Sequence, residues 1–70
     1  SNPAAYEADF LRMIQARRIE LGWIKPELYA FAEQKLGLKK PLTSLLVLGP
    51  RQLKALADLM AHARSSEQAS

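Results

Sequence analysis

Apolar residues recur at three- and four-residue intervals in three stretches of the chain, and glycine or proline bounds each stretch. The first stripe is Tyr6, Phe10, Met13, Ile14 and Leu21, with Arg17 at its edge. It predicts a helix from about Pro3 to Leu21. Pro3 suits a first helical turn, Glu7 and Asp9 sit towards the positive end of the dipole, and Gly22 stands where a left-handed cap is wanted. The second stripe, Leu28, Phe31, Ala32 and Leu36, predicts a helix from about Pro26 to Leu36. Gly37 caps it, and Leu38 is placed for the apolar contact that accompanies such a cap. Its start is the weaker end, because Lys25 is a poor N-cap. The third stripe, Leu53, Leu56, Ala57, Met60 and Ala63, widened by Leu59, predicts a helix from Pro50 to about Arg64. Gly49 is its N-cap and Gln52 the third helical residue, which gives half of a capping box, since glycine has no capping side chain.

Between the second and third helices, Lys39-Lys40-Pro41 is a connection, and Pro41 disfavours helix at Lys40. Leu42 to Leu48 has the composition of a strand, but a lone strand would have no partner. A single helical turn or an extended buried corner fits better. The expected architecture is therefore all-α: a compact three-helix bundle over residues 3–64, with an optional short fourth turn at residues 42–47. Ser1-Asn2 reads as an expression-tag remnant and suggests a piece of a longer protein, and Ser65 to Ser70 reads as a flexible tail.

Composition narrows the chemistry. Seventy residues allow one small domain, and 49% apolar with 24% charged residues is a globular composition. No cysteine is present, so disulfides and thiolate chemistry are excluded and the redox compartment is left open. A single histidine, His62, cannot build a His-rich metal site, and no metal or cofactor is expected. No apolar run approaches the ~20 residues of a membrane span, so no membrane partner is expected and the assigned setting is cytoplasmic.

The formal charge of +3 is unevenly spread. The first twenty residues are neutral, whereas the middle third holds Lys25, Lys35, Lys39, Lys40, Arg51 and Lys54 against only Glu27 and Glu33. Such an imbalance favours an acidic partner, nucleic acid first; a solvated face that keeps the domain soluble is the plainer account. The candidate nucleic-acid surface is Lys39, Lys40, Arg51 and Lys54, provided the connection lies beside the first turn of the third helix. Arg17 and Arg18 could touch phosphates or pair with nearby acids such as Glu20. Trp23 is either a stacking platform or partner anchor, or a residue that packs on the helix end; its place after Gly22 favours the latter. A tight helix-turn-helix is disfavoured, because about a dozen residues separate the second and third helices where that motif uses three or four.

Catalytic constellations are wanting. Asp58 and His62 are four apart and could orient an imidazole, although a surface hydrogen bond is the commoner outcome of that spacing. Glu27 and Glu33 do not share a helix face. Gly49-Pro50 with Arg51 and Lys54 could hold one anion, or be a plain helix start. A non-enzymatic role is expected.

From Phe10 onward, three features follow in order: Leu21-Gly22, Leu36-Gly37, and Ser44-Leu45 with Leu48 leading into Gln52 to Met60. This order resembles a small helical module of phage and prophage proteins, including the Mu-type Gem family and the tails of some phage recombination proteins. The chain departs from that pattern at Gly49, where a polar cap is usual, and at Lys25, where Ser or Thr is expected. The resemblance implies a phage-like, DNA-related setting by association and carries over no catalytic residue.

The expected function is a non-catalytic accessory binding domain of a larger protein in a nucleic-acid-handling context. The alternative is a protein-docking or self-association module that uses surplus apolar surface, with Trp23 and Leu46 among its contact residues.

Overall fold

The computed structural model describes residues 3–64, so the expectations for residues 1–2 and 65–70 lie outside the described residues. Three helices follow in order, α1 (Pro3–Leu21), α2 (Lys25–Leu36) and α3 (Pro50–Ala61), with a 3-10 turn at Leu45–Val47 before the last. No strand occurs among the described residues. The all-α three-helix architecture is as expected.

Glycine ends the first two helices as the periodicity required. Gly22 has φ 72° and Gly37 φ 63°, the left-handed conformation that glycine adopts without a Cβ clash. Both ends are Schellman caps: Trp23 N–H donates to Arg18 O at 3.1 Å, and Leu38 N–H to Glu33 O at 3.0 Å. The starts of α2 and α3 lack capping side chains and recover half of a capping box instead. At α2, which begins one residue before Pro26, the Glu27 carboxylate accepts from Ile24 N–H at 3.0 Å. At α3, Gln52 Oε1 accepts from Gly49 N–H at 3.3 Å.

The core consists of Ile14 and Leu21 from α1, Leu28 and Ala32 from α2, Leu42, Leu45 and Leu48 from the connection, and Leu53, Leu56, Ala57 and Met60 from α3. α3 packs chiefly on α1 and secondarily on α2. Residues 42–48 combine both expected forms, an extended entry and one 3-10 turn. Their inward residues fall every third position, which leaves Leu46 and Val47 80% and 66% exposed, not buried in the corner. Glu33 Oε2 accepts from Leu42 N–H at 2.7 Å and ties this connection to α2.

Three further expectations are corrected. Tyr6 and Met13 are half exposed, at 50% and 53%, and Leu11 packs against the core in their stead. At ~100° per residue Met13 lies a full step from Ile14, whereas Leu11 comes round to within about 60° of it. The first turn of α1 contains no acidic residue, so Glu7 and Asp9 lie beyond the reach of its dipole, and Asp9 pairs with Arg12. α3 stops at Ala61, short of Arg64, although Ala63 still packs against the core.

Arg17 makes the longest polar connection. Its Nε donates to Met60 O at 2.8 Å and its Nη2 to Ala63 O at 3.0 Å. A side chain of α1 thus satisfies carbonyls at the C-terminal end of α3, where cations are also favoured by the dipole.

Candidate functional site

Among the described residues, two surface grooves bear on function. The first is formed where the α2–α3 connection passes the start of α3. Leu38, Leu42 and Leu48 supply its apolar floor, with Val47, Pro41, Lys39 and Lys40 exposed around it and Gln52 at the α3 side. It encloses about 470 Å³, and no acidic side chain lines it. Local hydrogen bonds hold its walls: Glu33 to Leu42, Gln52 to Gly49, and Ser44 Oγ, which accepts from Leu46 N–H at 3.1 Å and starts the 3-10 turn.

Of the four cations proposed as a nucleic-acid surface, only Lys39 and Lys40 line this groove; Arg51 and Lys54 do not. Gln52 is the α3 residue that faces it, and Lys54 is turned ~200° further round the helix. Lys54 Nζ also meets Asp58 Oδ2 at 3.0 Å on the exposed face of α3. The side-by-side arrangement expected of the four is therefore divided between two faces. Leu46, the candidate contact residue, projects outward next to Val47.

The second groove, of about 410 Å³, lies between the α1–α2 corner and the end of α3. Trp23 and Phe31 line it, together with Leu59, Lys35, His62, Ala63 and Arg64. The two rings pack at a centroid separation of 4.9 Å, tilted by 49°, and Lys35 Nζ lies 6.0 Å from the Phe31 centroid. Trp23 is half-buried, packs against the core and the Phe31 ring, and also presents surface to the groove. Lys35, His62 and Arg64 were not grouped with Trp23 from the sequence. The Lys35–Phe31 spacing of one helical turn was legible there, but the approach of the α3 end depends on a contact across the fold.

Arg17 and Arg18 are engaged internally. Arg18 Nη1 donates to Trp23 O at 2.8 Å and its Nε to Gln15 Oε1 at 2.9 Å, while Arg17 holds the end of α3. Neither pairs with Glu20. The carboxylates considered for catalysis are likewise structural, Glu27 at the start of α2 and Glu33 on Leu42 N–H. Asp58 pairs with Lys54 and not with His62. Among the described residues no group of three potential metal ligands occurs, and no helix is long and apolar enough to cross a membrane.

Neither a protein-family model nor a curated protein nor a solved structure matches the chain.

Proposed function

We propose that this chain is an accessory docking domain whose first groove receives an extended segment of a protein partner, apolar in its anchor and acidic in its flank. The observation that carries the reading is exposed Val47 on an apolar groove edged by Lys39 and Lys40 and lined by no carboxylate, with exposed Leu46 its neighbour in the chain. Scattered exposed leucines are ordinary; two consecutive apolar side chains on a turn held by Ser44, beside an apolar cleft, form a patch of the kind that marks interaction sites. The two lysines supply the charge complementarity that would select an acidic segment and fix its direction. The setting we infer, an accessory domain of a nucleic-acid-handling protein of phage type, is supported by the basic balance of +3 and by the resemblance of the helix order.

Fluorescence polarisation with a labelled Glu-Glu-Leu-Leu-Glu-Phe peptide, and with its counterpart carrying Lys for Glu, tests the reading. Saturable binding of the acidic peptide alone is expected. Alanine at both Lys39 and Lys40 should flatten its salt dependence, and Val47→Asp should weaken it without changing helicity. Equal binding of both peptides would sink the proposal. So would a concentration-dependent dimer in sedimentation that Val47→Asp abolishes, because the occupant would then be a second copy.

A further inference from the structure

We infer that the second groove is a contact site for single-stranded nucleic acid, with Trp23 as the stacking surface and Lys35 and Arg64 as the phosphate contacts. This site shares no lining residue with the docking groove and stands on separate observations.

The first is rigidity. Trp23 is held at its backbone, where its N–H donates to Arg18 O and its carbonyl accepts from Arg18 Nη1, and at its ring, which packs against Phe31. A fixed aromatic surface stacks a base with little ordering cost. The second is charge. The cations Lys35, from α2, and Arg64, from beyond the end of α3, line the groove with the two rings, and no acidic residue does. Cations beside aromatic faces are the arrangement that binds single strands independently of sequence, because every base has a π-face and every nucleotide a phosphate. The third is size, since about 410 Å³ falls within the range of clefts that enclose small organic ligands and suits a nucleotide unit rather than a duplex. An acidic peptide would satisfy the cations but not the aromatic surface. The docking groove differs on this point, because its floor is aliphatic.

The test is quenching of Trp23, the sole tryptophan, by oligo(dT), with duplex DNA and poly-glutamate as competitors. Saturable quenching by oligo(dT) that neither duplex DNA nor poly-glutamate reverses is expected. Two phosphate contacts predict that the logarithm of the association constant falls with the logarithm of salt at a slope of about −1.4, and Arg64→Ala should reduce that slope by about 0.7. Trp23→Ala should weaken binding of a labelled oligonucleotide about 5- to 150-fold. Since that variant also removes a packed ring, the exposed double variant Lys35→Ala/Arg64→Ala serves as the independent check: with helicity retained, it should lose the salt-dependent binding. The Lys39→Ala/Lys40→Ala variant should bind the strand as before, which separates this site from the docking groove. Absence of quenching at low salt, quenching by poly-glutamate as strong as by oligo(dT), or full binding by the Lys35/Arg64 double variant would each overturn the inference.

Discussion

Replacing Arg17 by Met keeps most of the apolar stem of the side chain and deletes its guanidinium, so it isolates the two hydrogen bonds to Met60 O and Ala63 O. A hydrogen bond from a charged donor contributes about 1.5–3 kcal/mol net where water is excluded. Arg17 is half-buried, and water would reach part of the vacated carbonyls, so two full contributions overstate the loss. The favourable placement of a cation at a helix C-terminus adds about 0.3–1 kcal/mol. Together these give a destabilisation of about 2–3 kcal/mol, which for a domain of this size lowers the midpoint of thermal unfolding by roughly 10–20 °C. Circular dichroism melts of the wild type, Arg17→Met and Arg17→Lys would measure it. Lys retains the charge but not the two-pronged donor geometry, so it should fall between the other two. Arg12→Met, which removes an exposed pair with Asp9, is the control and should shift the midpoint very little. If Arg17→Met melted within a few degrees of wild type, the link between α1 and the end of α3 would not be a stabilising contact.

Two other changes probe the joints of the fold. Glu33→Leu removes the acceptor of Leu42 N–H; amide exchange in residues 42–48 should accelerate far more than in α1, and uniform protection across the chain would count against the tether. Gly37→Ala meets no atom within 4 Å, so its penalty is conformational alone, about 1 kcal/mol, and a denaturant titration that shows no loss would contradict the left-handed cap at φ +63°.

The helix plan was legible in the sequence because its signals are local. Gly22 and Gly37 end helices through their own backbone conformations, Pro50 opens one, and Leu53, Leu56 and Met60 repeat at helical spacing within a single element. The misreadings arise where the partner surface decides. Tyr6 and Met13 obey the same periodicity as Phe10 and Ile14, and only the position of α3 selects the Leu11 side of α1. The docking groove was half legible: Lys39 and Lys40 were singled out, but the separation of Arg51 and Lys54 from them depends on the rotation of α3 about its axis. The Trp23 groove was the least legible, because its α3 side arrives through bonds from Arg17 to residues 43 and 46 positions away.

A net charge of +3 describes the chain poorly, because its cations do different work. Arg17 and Arg18 are consecutive, yet both reach backbone carbonyls, Arg17 with two donors to Met60 O and Ala63 O and Arg18 with one to Trp23 O, its Nε going to Gln15 Oε1. Those backbone carbonyls belong to two of the segments around the second groove, the corner after α1 and the end of α3; α2 supplies Phe31 and Lys35. α1 therefore contributes no residue to the lining of that groove, but Arg18 bonds to Trp23 and Arg17 to Ala63, which do line it. Lysines, with flexible stems and strongly hydrated heads, would hold such carbonyls less rigidly, and in this chain they stand outside: Lys39 and Lys40 at the docking groove, Lys35 at the aromatic one. Arg17 and Arg18 are thus part of the scaffold, whereas the exposed Arg64 stands with Lys35 at the surface of the groove. If the groove binds single strands, substitutions at Arg17 and Arg18 act on its shape and those at Lys35 and Arg64 on its affinity.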